Sequence, residues 1–309
     1  MQKKGRRLAI QAEIKKLEHL YNVAAARERA TVSVACADDA HVLQAVGEAY
    51  ARRIANFILV GDAAKIREQA QACHVDIAAF EVVHEAEAAA TCRKAVSFVT
   101  SGRAQAVMKG LVDTSVIMKA VLDKENGMRT GQKLSHVAAF EMPAYHKLLF
   151  VTDAAINIAP DIETKKAIIQ NAVAAVTSLG IKNPKVALLA AKEKTDPKMP
   201  VTMEAAAIAD MYQNGKISGC ILDGPLALDN AVSIESAALK GISSPVVGDA
   251  DILVCPNIES GNILYKSLAF LGGGQNGGVV VGAARPVILT SRADSAQSKL
   301  ISIALGVLF

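Results

Sequence analysis

Tryptophan is absent from this 309-residue chain and aromatic residues make up only 4% of it. The core must therefore be filled by Ala, Val, Ile and Leu, as in strands covered by helices on both faces. Hydrophobic residues reach 51%, which excludes a disordered chain, yet no run approaches the ~18 uninterrupted apolar residues of a membrane span. Cys36, Cys73, Cys92, Cys220 and Cys255 are far apart, odd in number and form no CxxC pair. We expect free, mostly buried thiols in a reducing cytoplasm. No HExxH or similar spacing joins the six histidines, so no metal site is visible. The net charge of +4 is mild, and basic residues spread out with few aromatics between them are a poor signature for nucleic acid. The start MQKKGRR is basic, but LAIQAEIKKLEHL behind it is amphipathic where a secretory signal would be continuously apolar.

What is present is a rhythm of short apolar strands and amphipathic helices. Residues 6–29 have helical spacing at Leu8, Ile10, Ile14, Leu17, Leu20 and Tyr21. Strands are expected at 31–37, 56–60, 77–83 and 104–108, with helices between them, which predicts parallel βαβ units. Residues 136–142 and 147–153 alternate around Pro143 and Ala144, a hairpin pattern. Helices over 161–179, 201–214 and 229–240 then separate strands at 185–191, 217–222 and 251–255. A final helix over 296–308 has apolar surface to spare. The length is about twice that of a typical domain, so two α/β domains sharing a cleft are expected. We place the first at residues 1–137 plus 284–309 and the second at 138–283.

The stretch from 249 to 292 organises the site. Asp251–Cys255 reads as a buried strand, and Glu259, Ser260, Gly261 and Asn262 crowd the start of the next helix, where unpaired N–H groups and the helix dipole suit an anion. A further strand at 286–290 delivers Ser291 and Arg292 at its carboxyl end, where open α/β sheets bind ligands. Lys109 stands at the end of another such strand. Residues 126–135 form a polar loop carrying Arg129, Thr130, Lys133 and Ser135, readable as a binding loop or as a solvated connector. Gly282 and Asn157 complete the candidate binding set, although Asp153, Asn157 and Asp161 singly are also ordinary turn and cap residues. Gly272, Gly274 and Gly277 match GxGxxG, but after a helix and before a strand. That is the wrong context for a dinucleotide site, and 272–278 reads as a flexible loop at the cleft.

TDAAINIAPD at 152–161, LDGPLALDNAVS at 222–233, GDADILVCPNIESGNILYKSLAFLG at 248–272 and PVILTSRADS at 286–295 resemble, in order, the blocks of the phosphate acetyltransferase and phosphate butyryltransferase family. LTSRADS with INIAPD is most similar to the butyryltransferase branch. The resemblance implies a two-domain α/β/α fold like that of isocitrate and isopropylmalate dehydrogenases, with the active site between the domains. It implies acyl-CoA and phosphate, or acyl phosphate, as substrates, with coenzyme A a substrate and no cofactor. A homo-oligomer in the cytoplasm, binding neither membrane nor nucleic acid, is expected. In that scheme the thiolate of coenzyme A attacks the acyl-phosphate carbonyl within a ternary complex. Arg292 binds phosphate, Ser291 donates to the developing oxyanion, and Asn262 belongs to the catalytic group.

Two positions depart from the acetyltransferases. Their aspartate seven residues beyond the serine of the SR pair, a proposed base for the thiol, is here Ser298, so Asp294 or another group assists, or the thiol ionises unaided. An arginine of theirs corresponds to Phe270, whose ring either lines a pocket for a longer acyl chain or packs the helix on its own sheet. A catalytically silent acyl-phosphate or CoA-binding protein, or a metal-dependent decarboxylating dehydrogenase on the same fold, are the alternatives.

Overall fold

The structure, a computed structural model, describes residues 14–309. The expected helical stretch over 6–13, with Leu8 and Ile10, lies outside the described residues. The rest of that helix is α1 (Leu17–Ala26), and its Leu17, Leu20, Tyr21 and Ala24 are buried. Then β1 (Ala30–Ala35), α2 (Ala40–Ala51), β2 (Ala55–Gly61), α3 (Ala63–Ala72), β3 (Glu81–His84), α4 (Ala88–Thr100), β4 (Ala106–Lys109) and α5 (Thr114–Val121) alternate. Asp39 and Asp62 cap α2 and α3 by accepting backbone N–H groups.

The hairpin is β5 (Ser135–Glu141) and β6 (Leu149–Thr152), paired antiparallel. After it come α6 (Ile162–Ser178), β7 (Lys185–Leu189), α7 (Pro200–Gln213), β8 (Ile221–Leu226), α8 (Leu228–Val232), α9 (Ile234–Leu239), β9 (Ile252–Val254) and α10 (Ile258–Lys266). A π-helical segment (Ser267–Leu271), β10 (Gln275–Val281), β11 (Val287–Ile288) and α11 (Ala296–Leu308) complete the chain.

Three expectations need correction. The single helix over 229–240 is two, because Ser233 adopts an extended conformation and accepts from Ser236 N to start α9. The strand expected at 217–222 is β8, four residues later, so that Asp223, Gly224 and Pro225 lie inside it, which a proline tolerates because β8 is an edge strand. The glycine loop is shorter than 272–278, since Gly277 and Gly278 are buried within β10.

One eleven-stranded sheet runs through the molecule in the order β3-β2-β1-β4-β11-β10-β5-β6-β9-β7-β8. β3 to β11 are mutually parallel, β10 is antiparallel to both its neighbours, and β6, β9, β7 and β8 are parallel again. The two parallel groups therefore run in opposite directions. Helices cover both faces. One continuous cluster joins α1, α2, α6, α7 and α11 on one side. On the other, α4 and α5 cover the first strands and α8 to α10 cover the last. The candidate site lies where α5 and α10, on this second face, meet the start of α11.

Candidate active site

Strand alternation selects the residues that face this gap. Val107, Val280 and Val287 share one buried cluster, so Lys109 and Leu289, two positions on, look out from the same face. His136 pairs with Val280 in register and joins them. On β10, Gly278 is clear for a reason: a Cβ there would meet the His136 ring. His136 is buried, its ring stands edge-on to Tyr265 at 6.0 Å between centroids, and its Nδ1 has no hydrogen-bond partner. Burial pushes its pKa down, against the pull of Asp153 and Asp294.

At one end of this face, Lys109 and the segment after β11 meet. Lys109 is buried at the end of β4 and donates to the Val112 carbonyl at 3.0 Å. Gly110 must follow it, because a Cβ would collide with the carbonyls of Ala35 and Cys36, which Gly110 N and Leu111 N bond at 2.8 Å each. Ser291 to Asp294 form a tight turn in which Ser291 N donates to Asp294 Oδ2 at 2.6 Å and Ala293 N to Ser291 Oγ at 3.3 Å. Arg292 Nη2 bonds Asp113 Oδ1 at 2.9 Å. Asp113 is the N-cap residue of α5 but makes no side-chain cap, so its carboxylate serves Arg292 instead. Three cations, Lys109, Arg292 and Lys299, thus gather at one edge. Burial lowers the Lys109 pKa, and the positive charges of Lys299 and Arg292 lower it further. Burial also lowers that of Lys299.

α10 starts at the far edge of the sheet, and its direction returns the chain to this end. Tyr265 donates to Asn276 Oδ1 at 2.6 Å, and the π-helical turn swings Phe270 out. Phe270 is 67% exposed, so it does not pack α10 on its own sheet. It lines a cavity of about 420 Å³ with Asn276, Asp294, Gln297 and Ser298. Phe270 and Ser298 therefore face the same space.

The remaining candidates are not at this end. Because β6 and β9 run opposite to β4 and β11, Asp153 leaves β6 beside His136, and Asn157 lies beyond it toward the opposite strand ends from Lys109 and Ser291. The convergence expected of all carboxyl strand ends holds only within each parallel group. Asp153 uses its carboxylate on Ala155 N, Ile156 N, Asn157 N and Asn157 Nδ2, and Asn157 Nδ2 also donates to the Leu134 carbonyl. Turn-building is what these groups do here. Asn262 donates to the Ala154 carbonyl at 3.2 Å, tying α10 to that turn rather than to Ser291. At those strand ends the loop candidates come together: Thr130 Oγ1 donates to the Gly282 carbonyl at 2.7 Å, and Asn171 Nδ2 bonds both the Lys133 carbonyl and Ser135 Oγ. Arg129 and Lys133 are exposed, whereas Ser135 is buried. From Asn276, which lines the Phe270 cavity, to Gly282 is six residues of extended chain, about 20 Å.

The sequence gives His136 only as the one histidine near the expected cleft, and it does not single out Lys299 or Tyr265. Lys299 had one usable signal, a lysine inside the apolar run KLISIALG whose neighbours Leu300 and Ile301 are buried.

Comparison with known proteins places the chain in a family. The family described as phosphate acetyl/butaryl transferase matches residues 16–93 and 88–307. A phosphate butyryltransferase of Clostridium acetobutylicum is 45% identical over 295 residues, covering 96% of this chain and 98% of the relative. A solved branched-chain phosphotransacylase from Enterococcus faecalis V583 superposes with a TM-score of 0.80 at 37% identity, over 90% of this chain and 98% of that one. A 4-hydroxythreonine-4-phosphate dehydrogenase from Klebsiella pneumoniae shares the fold, with a TM-score of 0.57 at 14% identity over 91% of this chain and 100% of that one. The chain belongs to the phosphate acetyl/butyryl transferase family of enzymes.

Proposed function

We propose that the protein moves a short acyl group, butyryl in preference to acetyl, between coenzyme A and inorganic phosphate, directly and within a ternary complex. The observation that carries this reading is the cavity bounded by Phe270, Asp294 and Ser298 beside the Ser291–Arg292 turn. An apolar ring stands on one side of it, and Ala293 and Asp294 of the turn that carries Ser291 and Arg292 stand on the other. In the direction of acyl-phosphate synthesis, a phosphate oxygen attacks the thioester carbonyl, the new C–O bond forms, and the C–S bond breaks to release thiolate. Arg292 offers a planar fork to two phosphate oxygens, and Lys109 adds charge. Ser291 Oγ already accepts from Ala293 N, which leaves its own proton to be donated to the carbonyl oxygen as that becomes an oxyanion. Holding both substrates in place supplies much of the acceleration.

The distant basic loop fits the other half of coenzyme A. Arg129 and Lys133, about 20 Å away along β10, are placed to take its nucleotide phosphates while the pantetheine arm brings the thiol to the Phe270 cavity. Thr130, Ser135, Gly282 and Asn157 then shape that end of the site, and Asn262 steadies the wall between the two ends. We further propose that residues 1–137 with 284–309, and residues 138–283, act as two domains hinged where strand direction reverses. The exposed Ile234, Leu239, Ile263 and Leu271 support burial in a homo-oligomer, and five free thiols support a cytoplasmic setting. Among the described residues no helix is long and apolar enough to cross a membrane.

The test is release of free thiol from butyryl-CoA with and without phosphate. Phosphate-dependent release supports transfer. Ligand binding without release favours a silent binding protein.

A further inference from the structure

The turn that carries Ser291 and Arg292 has no regular structure of its own, since β11 ends at Ile288 and α11 begins at Ala296. Part of what fixes it comes from inside α11. Lys299, 3% exposed, directs its ammonium back at the turn and donates to the Ser291 carbonyl at 3.1 Å and to the Asp294 carbonyl at 2.7 Å. One cation thus holds the carbonyls on either side of Arg292 and fixes the direction in which the guanidinium leaves the chain. Packing alone does not call for this. An ammonium beside the buried Leu300 and Ile301 is costly to desolvate, and two carbonyl dipoles offset that only in part.

Three carboxylates, Asp39, Asp113 and Asp294, stand among the three cations Lys109, Arg292 and Lys299. Lys299 is attracted by Asp294 and Asp39 and stands within range of Lys109, which also feels Arg292 and Asp113. Asp113 is engaged by Arg292, and one oxygen of Asp294 by Ser291 N. Burial, and for Lys109 the neighbouring cations, lower the pKa of both lysines.

We infer that Lys299 is a positioning residue for the phosphoryl group, holding the Ser291–Asp294 turn in shape and supplying from behind it a buried positive charge that favours a bound phosphate dianion. It acts through the turn and does not touch the substrate. The inference rests on the acyl-transfer reading of this cleft.

Three variants separate charge from hydrogen bonding and from packing: Lys299→Gln keeps a donor without charge, Lys299→Met keeps only length, and Lys299→Arg keeps charge. Each is measured for kcat and for the KM of phosphate and of butyryl-CoA, with a thermal melt to select folded protein. Loss of one charge-assisted contact should raise the phosphate KM about tenfold or more in the Gln and Met variants. The butyryl-CoA KM should move less than about threefold, and Arg should recover most of the loss. A phosphate KM unchanged in Lys299→Gln, or both KM values rising together, would reduce Lys299 to a structural staple and overturn the inference. If the wild type releases no thiol, the transfer reading itself fails, and phosphate binding by calorimetry decides this point alone. Weaker binding to Lys299→Gln than to wild type then supports the role, and equal binding overturns it.

Discussion

Arg292 Nη2 and Asp113 Oδ1 lie 2.9 Å apart, so the segment entering α11 is pinned to the start of α5 by the guanidinium that the proposed reaction assigns to phosphate. Asp113 and a phosphate oxygen compete for one fork. Both side chains are well exposed, 61% and 73%, and such a pair contributes at most about 1 kcal/mol to stability. Asp113→Asn should therefore leave the melting temperature nearly unchanged while lowering the phosphate KM about two- to threefold, since Arg292 is no longer partly neutralised. Arg292→Lys should cut turnover by at least tenfold, up to the ~2 to 4 kcal/mol of a lost transition-state contact. Steady-state kinetics on both variants checks this, and near-normal turnover in Arg292→Lys removes Arg292 from the site.

Acyl-chain selectivity should follow Phe270. Two extra buried methylenes stabilise butyryl over acetyl by about 1.6 kcal/mol, roughly a fifteenfold preference in kcat/KM. With its ring 67% exposed, Phe270→Arg should fold normally and narrow or invert that order. Competition between acetyl-, propionyl- and butyryl-CoA measures it. An unchanged order in the folded variant would take Phe270 out of the acyl pocket.

The 126–135 loop should act on coenzyme A and not on phosphate. Replacing Arg129 and Lys133 together by Ala is expected to raise the KM for butyryl-CoA more than that for phosphate, with the difference shrinking as salt rises, because the contacts are exposed and screened. Equal effects on both substrates, or none, would make the loop a solvated connector.

His136 gives a pH signature in stability. Burial lowers its folded-state pKa, while the unfolded chain takes up a proton near the ordinary value of ~6.5. The unfolded state then binds more protons between the two values, so stability is full above about pH 6.5 and falls as the pH drops from there toward the folded pKa. The slope from this residue is at most about 1.4 kcal/mol per pH unit. Denaturant titrations between pH 7 and 5 should show it in the wild type, and Lys299→Gln should keep it. His136→Gln should lack it; an equal slope in that variant would mean that other groups carry the acid sensitivity.

The regular alternation from β1 to α5 was readable because each helix and strand there is locally consistent and capped by its own acidic residues, Asp39 and Asp62 among them. The Pro143 hairpin was readable for the same reason. What sequence could not express was direction. The reversal at β10 turns the β6 exit that carries Asp153 and Asn157 away from the strand ends that carry Lys109 and Ser291, and nothing local to either segment records it. Gly277 and Gly278 looked like loop glycines, yet they are strand residues cleared for Ile301 of α11 on one face and His136 on the other, which only tertiary contact reveals. A lone buried histidine and a lone lysine in an apolar helix likewise look like packing until Nδ1 is found without a partner and Nζ is found on two carbonyls of the site.

Direct transfer between coenzyme A and phosphate is the central claim, and initial rates of thiol release by the wild-type protein, with butyryl-CoA and phosphate varied against each other, test it most directly. The account predicts phosphate-dependent release with intersecting double-reciprocal lines, because both substrates must be bound before the C–S bond breaks. Parallel lines, which report a covalent acyl-enzyme, or no phosphate-dependent release at all, would contradict it.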